Sequence, residues 1–103
     1  MKIKGYQLQA KFTDRPEIIS VPNVGKIFSA TIEKGVVTLW ATEEYGGTRH
    51  FIIVQSGYNM RGIECQSWTW DYIDTVSELV DETMTRRAGL EVYLVFEVQG
   101  IVT

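Results

Sequence analysis

The most regular hydrophobic pattern of the chain lies near its end, in residues 90–98, LEVYLVFEV. Apolar and mixed positions alternate there, and successive side chains of a β-strand point to opposite faces. The apolar positions are Leu90, Val92, Leu94, Phe96 and Val98, and the mixed positions are Glu91, Tyr93, Val95 and Glu97. The period predicts a strand whose apolar face covers the core, with Leu94 and Phe96 at the centre of that face.

The first half of the chain shows the same two-residue period in shorter segments. Residues 2–12 predict a strand with a bulge or bend at Gly5, and residues 17–21, closed by Pro22, predict an edge strand at most. Residues 26–33 and 36–43 flank Lys34-Gly35 and predict a tight hairpin. The expected core positions of this hairpin are Phe28, Ala30, Ile32, Val37, Leu39 and Ala41.

A glycine-bearing turn over residues 43–48 separates the hairpin from a further strand at residues 49–55, RHFIIVQ. Both faces of that strand carry bulky apolar residues, which predicts a central strand covered on each side. A loop over residues 56–64 then leads to an aromatic segment, residues 65–72.

One helix is predicted over residues 75–88. Thr75 and Glu78 have the spacing of a capping box, and apolar residues recur after them at helical intervals. Arg86 and Arg87 lie late in the segment and Gly89 follows it, as is typical of a helix end. The predicted fold is therefore a single α+β domain, in which one amphipathic helix packs on a mostly antiparallel sheet of five or six strands.

Composition and charge narrow the function classes. The chain of 103 residues has a net charge of −3 and no basic excess, which disfavours general nucleic-acid binding. No apolar run has the length of a membrane helix, no signal peptide is expected, and the single cysteine, Cys65, is typical of a reducing cytoplasm. With one histidine, His50, neither a metal site nor a cofactor motif is predicted.

The sequence gives only weak indications of a catalytic site. His50 and Cys65 could form a nucleophile–base pair, but a buried structural cysteine is the commoner role. The acidic pairs Glu43-Glu44 and Asp71 with Asp74 lie beside turns, where carboxylates are usually solvated. We therefore expect a protein that is not an enzyme.

The aromatic residues are the strongest candidates for function. The predicted binding residues are Trp68, Trp70, Tyr72, Trp40, Arg49 and Arg61. Aromatic residues and arginine are enriched in interface hot spots, and aromatic rings also stack on bases. The alternative is that the predicted helix packs over the tryptophans and makes them part of the core.

Several segments resemble a family of small phage and prophage proteins that is described only as a domain of unknown function. The resemblance rests on residues 2–6, 25–41, 56–57, 72–76 and 92–97, and it covers most of the chain. Where the family tends to have histidines, this chain has Tyr58 and Leu94, and its predicted helix is longer than the family's connection. The resemblance implies an accessory protein in the cytoplasm of a bacterial host and implies no reaction.

The sequence is compatible with three classes of function. The first is non-covalent binding to a host protein, for example to inhibit a defence or metabolic function. The second is a small-molecule or nucleotide-sequestering protein, with oligomers possible, that uses Trp68, Trp70 and Arg49. An enzyme is the third and least favoured class.

Overall fold

The computed structural model describes residues 2–8, 18–55, 69–82 and 87–100, and all of its regular structure is β. Five strands form one antiparallel sheet: β1 (Ile3–Leu8), β2 (Ile19–Glu33), β3 (Val36–Gln55), β4 (Thr69–Glu82) and β5 (Arg87–Gln99). The strand order is β1-β3-β5-β4, and β2 pairs with the other side of β3. No helix occurs among the described residues, so the α+β prediction is wrong and the described part of the chain is all-β.

Of the segment predicted to be helical, residues 75–82 form the second half of β4 and residues 87–88 begin β5, while residues 83–86 lie outside the described residues. The β4 part is the one that carries the predicted helix start. It pairs with β5 without interruption from Asp74↔Val95 to Glu82↔Arg87. The capping-box reading of Thr75 and Glu78 therefore fails, because cross-strand pairing outweighs a local helical signal. The β-branched residues Ile73, Thr75 and Val76 favour the extended conformation that this pairing requires.

β3 is twenty residues long and organises the sheet. Its first part lies between β1 and the end of β2, through Leu39 paired with Tyr6 and with Ala30. Its second part lies between the start of β2 and β5, through Phe51 paired with Ile19 and with Glu97. Residues 49–55 are thus central, as predicted, and both faces of Phe51–Val54 are buried.

The hairpin around Lys34-Gly35 is confirmed. Lys34 has φ 50° and Gly35 has φ 78°, the left-handed conformations that a tight two-residue turn demands. Val37, Leu39 and Ala41 are fully buried, as the pattern predicted.

Phe28, predicted to lie in the core, is 49% exposed. A register shift between Ile27 and Ser29 inserts an extra residue into β2, and a bulge of this kind turns a side chain out of the alternation. The predicted break at Pro22 is also wrong, because β2 continues through it with further register shifts around Val24.

β1 confirms the predicted first strand over residues 3–8, and residues 9–12 of that prediction lie outside the described residues. Tyr6 and Leu8 are buried, but the register is continuous and Gly5 forms no bulge. A Cβ atom at Gly5 would lie 3.0 Å from the Trp40 ring, so the glycine lets that indole lie across β1.

The main core lies between the strands of the hairpin and the β4–β5 pair. It includes Leu39, Phe51, Val76 and Val95, together with Tyr93. Tyr93 and Val95 belong to the mixed face of the LEVYLVFEV pattern, so the mixed face lines the main core and the apolar face lines only a smaller one. Phe96 instead lies on the opposite face in a smaller cluster with Ile52, Val54, Trp70 and Val98.

The mixed face can lie inward because each of its polar groups has a partner. The Tyr93 hydroxyl donates to Glu91 over 2.6 Å, and Glu97 pairs with Arg49. Burial and the Glu91 carboxylate raise the pKa of Tyr93 to about 12. A buried polar group that is hydrogen-bonded avoids most of the cost of leaving water.

Candidate functional site

A concave surface with exposed aromatic side chains lies where β2 faces β4. It has a volume of about 430 Å³ and is lined by residues 25–28 of β2, Arg49, residues 71–73 of β4 and Glu97. We call it the seam cleft. Register shifts in both strands shape it, one between Ile27 and Ser29 and one between Tyr72 and Asp74.

Two aromatic rings stand at this cleft. Phe28 is 49% exposed and Tyr72 is 59% exposed, on β2 and β4 respectively. The Tyr72 ring packs edge-on against Phe96 at 6.0 Å between centroids, and its hydroxyl bonds the Thr75 hydroxyl. The Tyr72 ring is therefore positioned by neighbours while most of its surface stays open to solvent.

Charged side chains of both signs line the cleft. The Lys26 ammonium lies 5.7 Å from the centroid of the Phe28 ring, a cation–π contact. Asp71 accepts a hydrogen bond from the Gln99 amide at 3.0 Å. A cation on β2 and an anion on β4 thus accompany the two rings.

Arg49 is the most heavily bonded side chain at the cleft. Its Nε and Nη2 donate to the two carboxylate oxygens of Glu97, each at 2.6 Å, and its Nη1 donates to the carbonyls of Val24 and Gly25. The Glu97 hydrogen bonds raise the pKa of Arg49. Four of the five guanidinium N–H groups are used in this way, so Arg49 holds the bulged part of β2 against β5.

A second depression, of about 350 Å³, shares Gly25 and Arg49 with the seam cleft and is also lined by Val24 and residues 44–48. Here β3 makes an excursion of four residues opposite Asn23, since Pro22 pairs with Thr48 and Val24 with Glu43. The excursion carries Tyr45, which is 79% exposed.

The tyrosine of this excursion is held by one charge network at the surface. Its hydroxyl donates to Glu43, which also pairs with Lys4 at 3.2 Å. The Lys4 and Tyr45 bonds lower the pKa of Glu43, and the same contacts raise the pKa values of Lys4 and Tyr45.

The four predicted binding residues that the structure describes do not lie together at one site. Tyr72 and Arg49 meet at the seam cleft. Trp70 is half-buried against Phe96, with ring centroids 5.5 Å apart. Trp40 lies on another face of the sheet, where it is 40% exposed and donates to the Thr31 hydroxyl. Trp68 and Arg61 lie outside the described residues.

Sequence reasoning missed Phe28 and Lys26 as site residues. Phe28 fitted the apolar face of its strand, and nothing in the period indicated a bulge beside it. Glycine at position 25 was a signal in retrospect, because a Cβ there would meet the Thr42 side-chain oxygen at 2.3 Å. Such a close approach accompanies irregular strand geometry.

The structure adds one partner to His50. Its Nδ1 lies 2.8 Å from the Ser20 hydroxyl on the neighbouring strand. A serine nucleophile needs a histidine that a third group orients, beside a substrate cleft. Neither Ser20 nor His50 lines the seam cleft, and Ser20 is exposed, so the pair is a cross-strand contact. Cys65 lies outside the described residues.

Among the described residues there is no group of three histidine, cysteine or carboxylate side chains that could hold a metal ion. The same part of the chain contains no helix long and apolar enough to cross a membrane. Comparison with protein-family models, curated proteins and solved structures gave no match, so a functional assignment rests on the geometry of the seam cleft.

Proposed function

We propose that this protein acts by non-covalent binding and that the seam cleft receives a side chain of a partner protein. The supporting observation is the placement of Phe28 and Tyr72, two largely exposed rings on facing strands of one concave surface. Large apolar side chains are costly to leave in water, and exposed aromatics in concave surfaces are typical anchors of protein interfaces.

The charges at the cleft favour a protein partner over a nucleotide. A nucleotide phosphate needs cationic donors, but most donors of Arg49 are bound to Glu97 and to backbone carbonyls. Lys26 faces a cleft that also contains Asp71, so the surface offers no cationic excess. An apolar or aromatic side chain flanked by polar groups of both signs matches this lining.

The kind of partner follows from the sequence resemblance to phage and prophage proteins. In this proposal the partner is a protein of the bacterial host, bound in the cytoplasm, and the chain acts as an accessory protein. Inhibition of a host defence or metabolic function is the expected consequence of occupying such a partner.

The experiment is affinity capture from host lysate, followed by calorimetry with the purified partner. Phe28→Ala and Tyr72→Ala are compared with Tyr45→Ala, which removes a still more exposed ring outside the seam cleft. Each cleft variant is expected to weaken binding by about 2 kcal/mol, roughly 30-fold, while the Tyr45 variant binds normally.

Melting curves of all three variants show whether the fold is retained. Full affinity in both cleft variants would overturn the proposal. A copurified compound that absorbs like a nucleotide and is lost in Phe28→Ala would instead favour the sequestering alternative.

A further inference from the structure

Two carboxylates join β2 to β4 beside the seam cleft. Glu78 accepts hydrogen bonds from the backbone amides of both turn residues, Lys34 and Gly35, the latter at 2.9 Å. Asp74 accepts from the Ala30 amide at 3.0 Å. These three bonds link the hairpin of β2 and β3 to a strand more than forty positions away.

No backbone ladder accompanies these bonds in the described part of the chain. The described strand pairings are β1 with β3, β2 with β3, β3 with β5 and β4 with β5. A ladder fixes two strands through many main-chain bonds, whereas the described hydrogen bonds of this seam come from two side chains, beside the apolar packing of Ile73 and Val76 in the main core. Breaking the seam leaves every described ladder intact, so we expect the seam to open at lower free energy than the sheet unfolds.

The positions of the bonds connect the seam to the cleft. Ala30 follows Phe28 by two residues on β2, and Asp74 follows Tyr72 by two residues on β4. The Asp74 bond therefore lies two residues along each strand from the two aromatic residues. A change in the distance between the strands at Ala30 and Asp74 changes the distance between those rings.

We infer that Asp74 and Glu78 form a latch that sets the width of the seam cleft. With the latch closed, the hairpin tip and Ala30 are held against β4. With the latch open, β2 separates from β4 at the cleft while the pairing of β3 with β5 persists. The claim that opening regulates partner binding rests on the proposed function. The opening of the seam itself does not depend on that function.

Amide hydrogen exchange, measured by NMR without any partner, tests the latch. The variants are Glu78→Ala and Asp74→Ala, and the matched control is Ser77→Ala, which removes an exposed polar side chain of the same strand outside the seam cleft. Both latch variants are expected to accelerate exchange at residues 26–30, 34 and 35 by tenfold or more. Residues 52–54 in the ladder with β5 are expected to keep their rates, and so is the whole control protein.

Three results would overturn the inference. Unchanged exchange at residues 30, 34 and 35 would show that the carboxylates hold nothing. Equal acceleration at all amides would show general destabilisation of the fold. If Glu78→Ala fails to fold, the measurement is repeated with the milder variant Glu78→Gln. Acceleration at the hairpin tip without any at residues 26–29 would show that the latch does not reach the cleft.

Discussion

The bidentate pair between Arg49 and Glu97 gives the sharpest test of how the site is built. Replacing Arg49 by lysine keeps the positive charge but reduces the planar fork to one ammonium group. A single ammonium cannot reach both the Glu97 carboxylate and the Val24 and Gly25 carbonyls, so at least two of the four hydrogen bonds are lost.

The magnitude follows from burial. A hydrogen bond to a charged group contributes about 1.5–3 kcal/mol when buried, but exposed ion pairs contribute about 0–1 kcal/mol. The side chain of Arg49 is 33% exposed and that of Glu97 is 14% exposed, so each lost bond lies between these limits. We expect Arg49→Lys to lower the free energy of unfolding by roughly 2 kcal/mol and Arg49→Met by roughly 3–4 kcal/mol.

Urea unfolding followed by circular dichroism measures both values. Lys4→Met is the control, because it removes the other described ion pair, in which the lysine side chain is 51% exposed, and its midpoint should stay near that of the wild type. If Arg49→Lys unfolds at the same urea concentration as the wild type, the guanidinium is not organising the bulge. Arg49 would then be available for a ligand, as the sequence-based prediction had it.

Three further predictions follow from the core, the turn geometry and the titration of the inward face. Leu39→Ala should cost roughly 3–5 kcal/mol in urea unfolding because Leu39 is fully buried, whereas Leu79→Ala, at a side chain 82% exposed, should cost less than about 0.5 kcal/mol. Gly25→Ala should lower the melting temperature, since its Cβ meets the Thr42 hydroxyl, and Thr42→Ala should restore part of the loss. Tyr93 has a pKa of about 12, above that of an unfolded tyrosine near 10, so its contribution is complete below about pH 10 and is lost as the pH rises toward 12. Stability measured between pH 9 and 11.5 should therefore fall less steeply in Tyr93→Phe than in the wild type.

The parts of the fold that could be predicted from sequence are those in which local chemistry and tertiary environment agree. Lys34-Gly35 provides the backbone freedom for a tight turn. Apolar and polar residues alternate in the two flanking strands, and only one pairing register places their apolar residues on the same face. Residues 51–54 carry bulk on both faces, which indicated a covered central strand, and both faces are buried. In these segments the hydrophobic pattern of the sequence and the burial of the side chains agree, because local preference and tertiary packing favour the same conformation.

β4 shows where local chemistry misleads. Its apolar residues also fit a helical period, and Thr75 with Glu78 imitates a helix start. Glu78 instead bonds the turn of a hairpin more than forty residues earlier, and Thr75 bonds the Tyr72 hydroxyl. A single sequence cannot show these distant partners, which decide the conformation of the segment.

The inward face of β5 shows the same limit for side-chain placement. Hydrophobicity alone favours the face with Leu94 and Phe96, yet Tyr93 and Val95 are the more deeply buried residues. Glu97 is compatible with that inward face because Arg49 neutralises it from the neighbouring strand. A charged residue in a strand pattern can therefore be buried when a residue of opposite charge lies across the ladder. Without such a partner, its charge keeps it at the surface.

The seam cleft depends on features that interrupt the pattern. Phe28 lies within a register shift of β2 and Tyr72 directly precedes one in β4, and both rings are exposed to solvent. A bulge costs ladder bonds, and irregularities of this kind are concentrated where strands end or sites are formed. The register shifts of β2 and β4 lie on facing strands. They are close to the carboxylates that join those strands, so the irregular parts of β2 and β4 occur at one surface. That coincidence is the reason to place binding at the cleft between Phe28 and Tyr72 rather than at the tryptophans, which pack against Phe96 or lie across Gly5 where they are described.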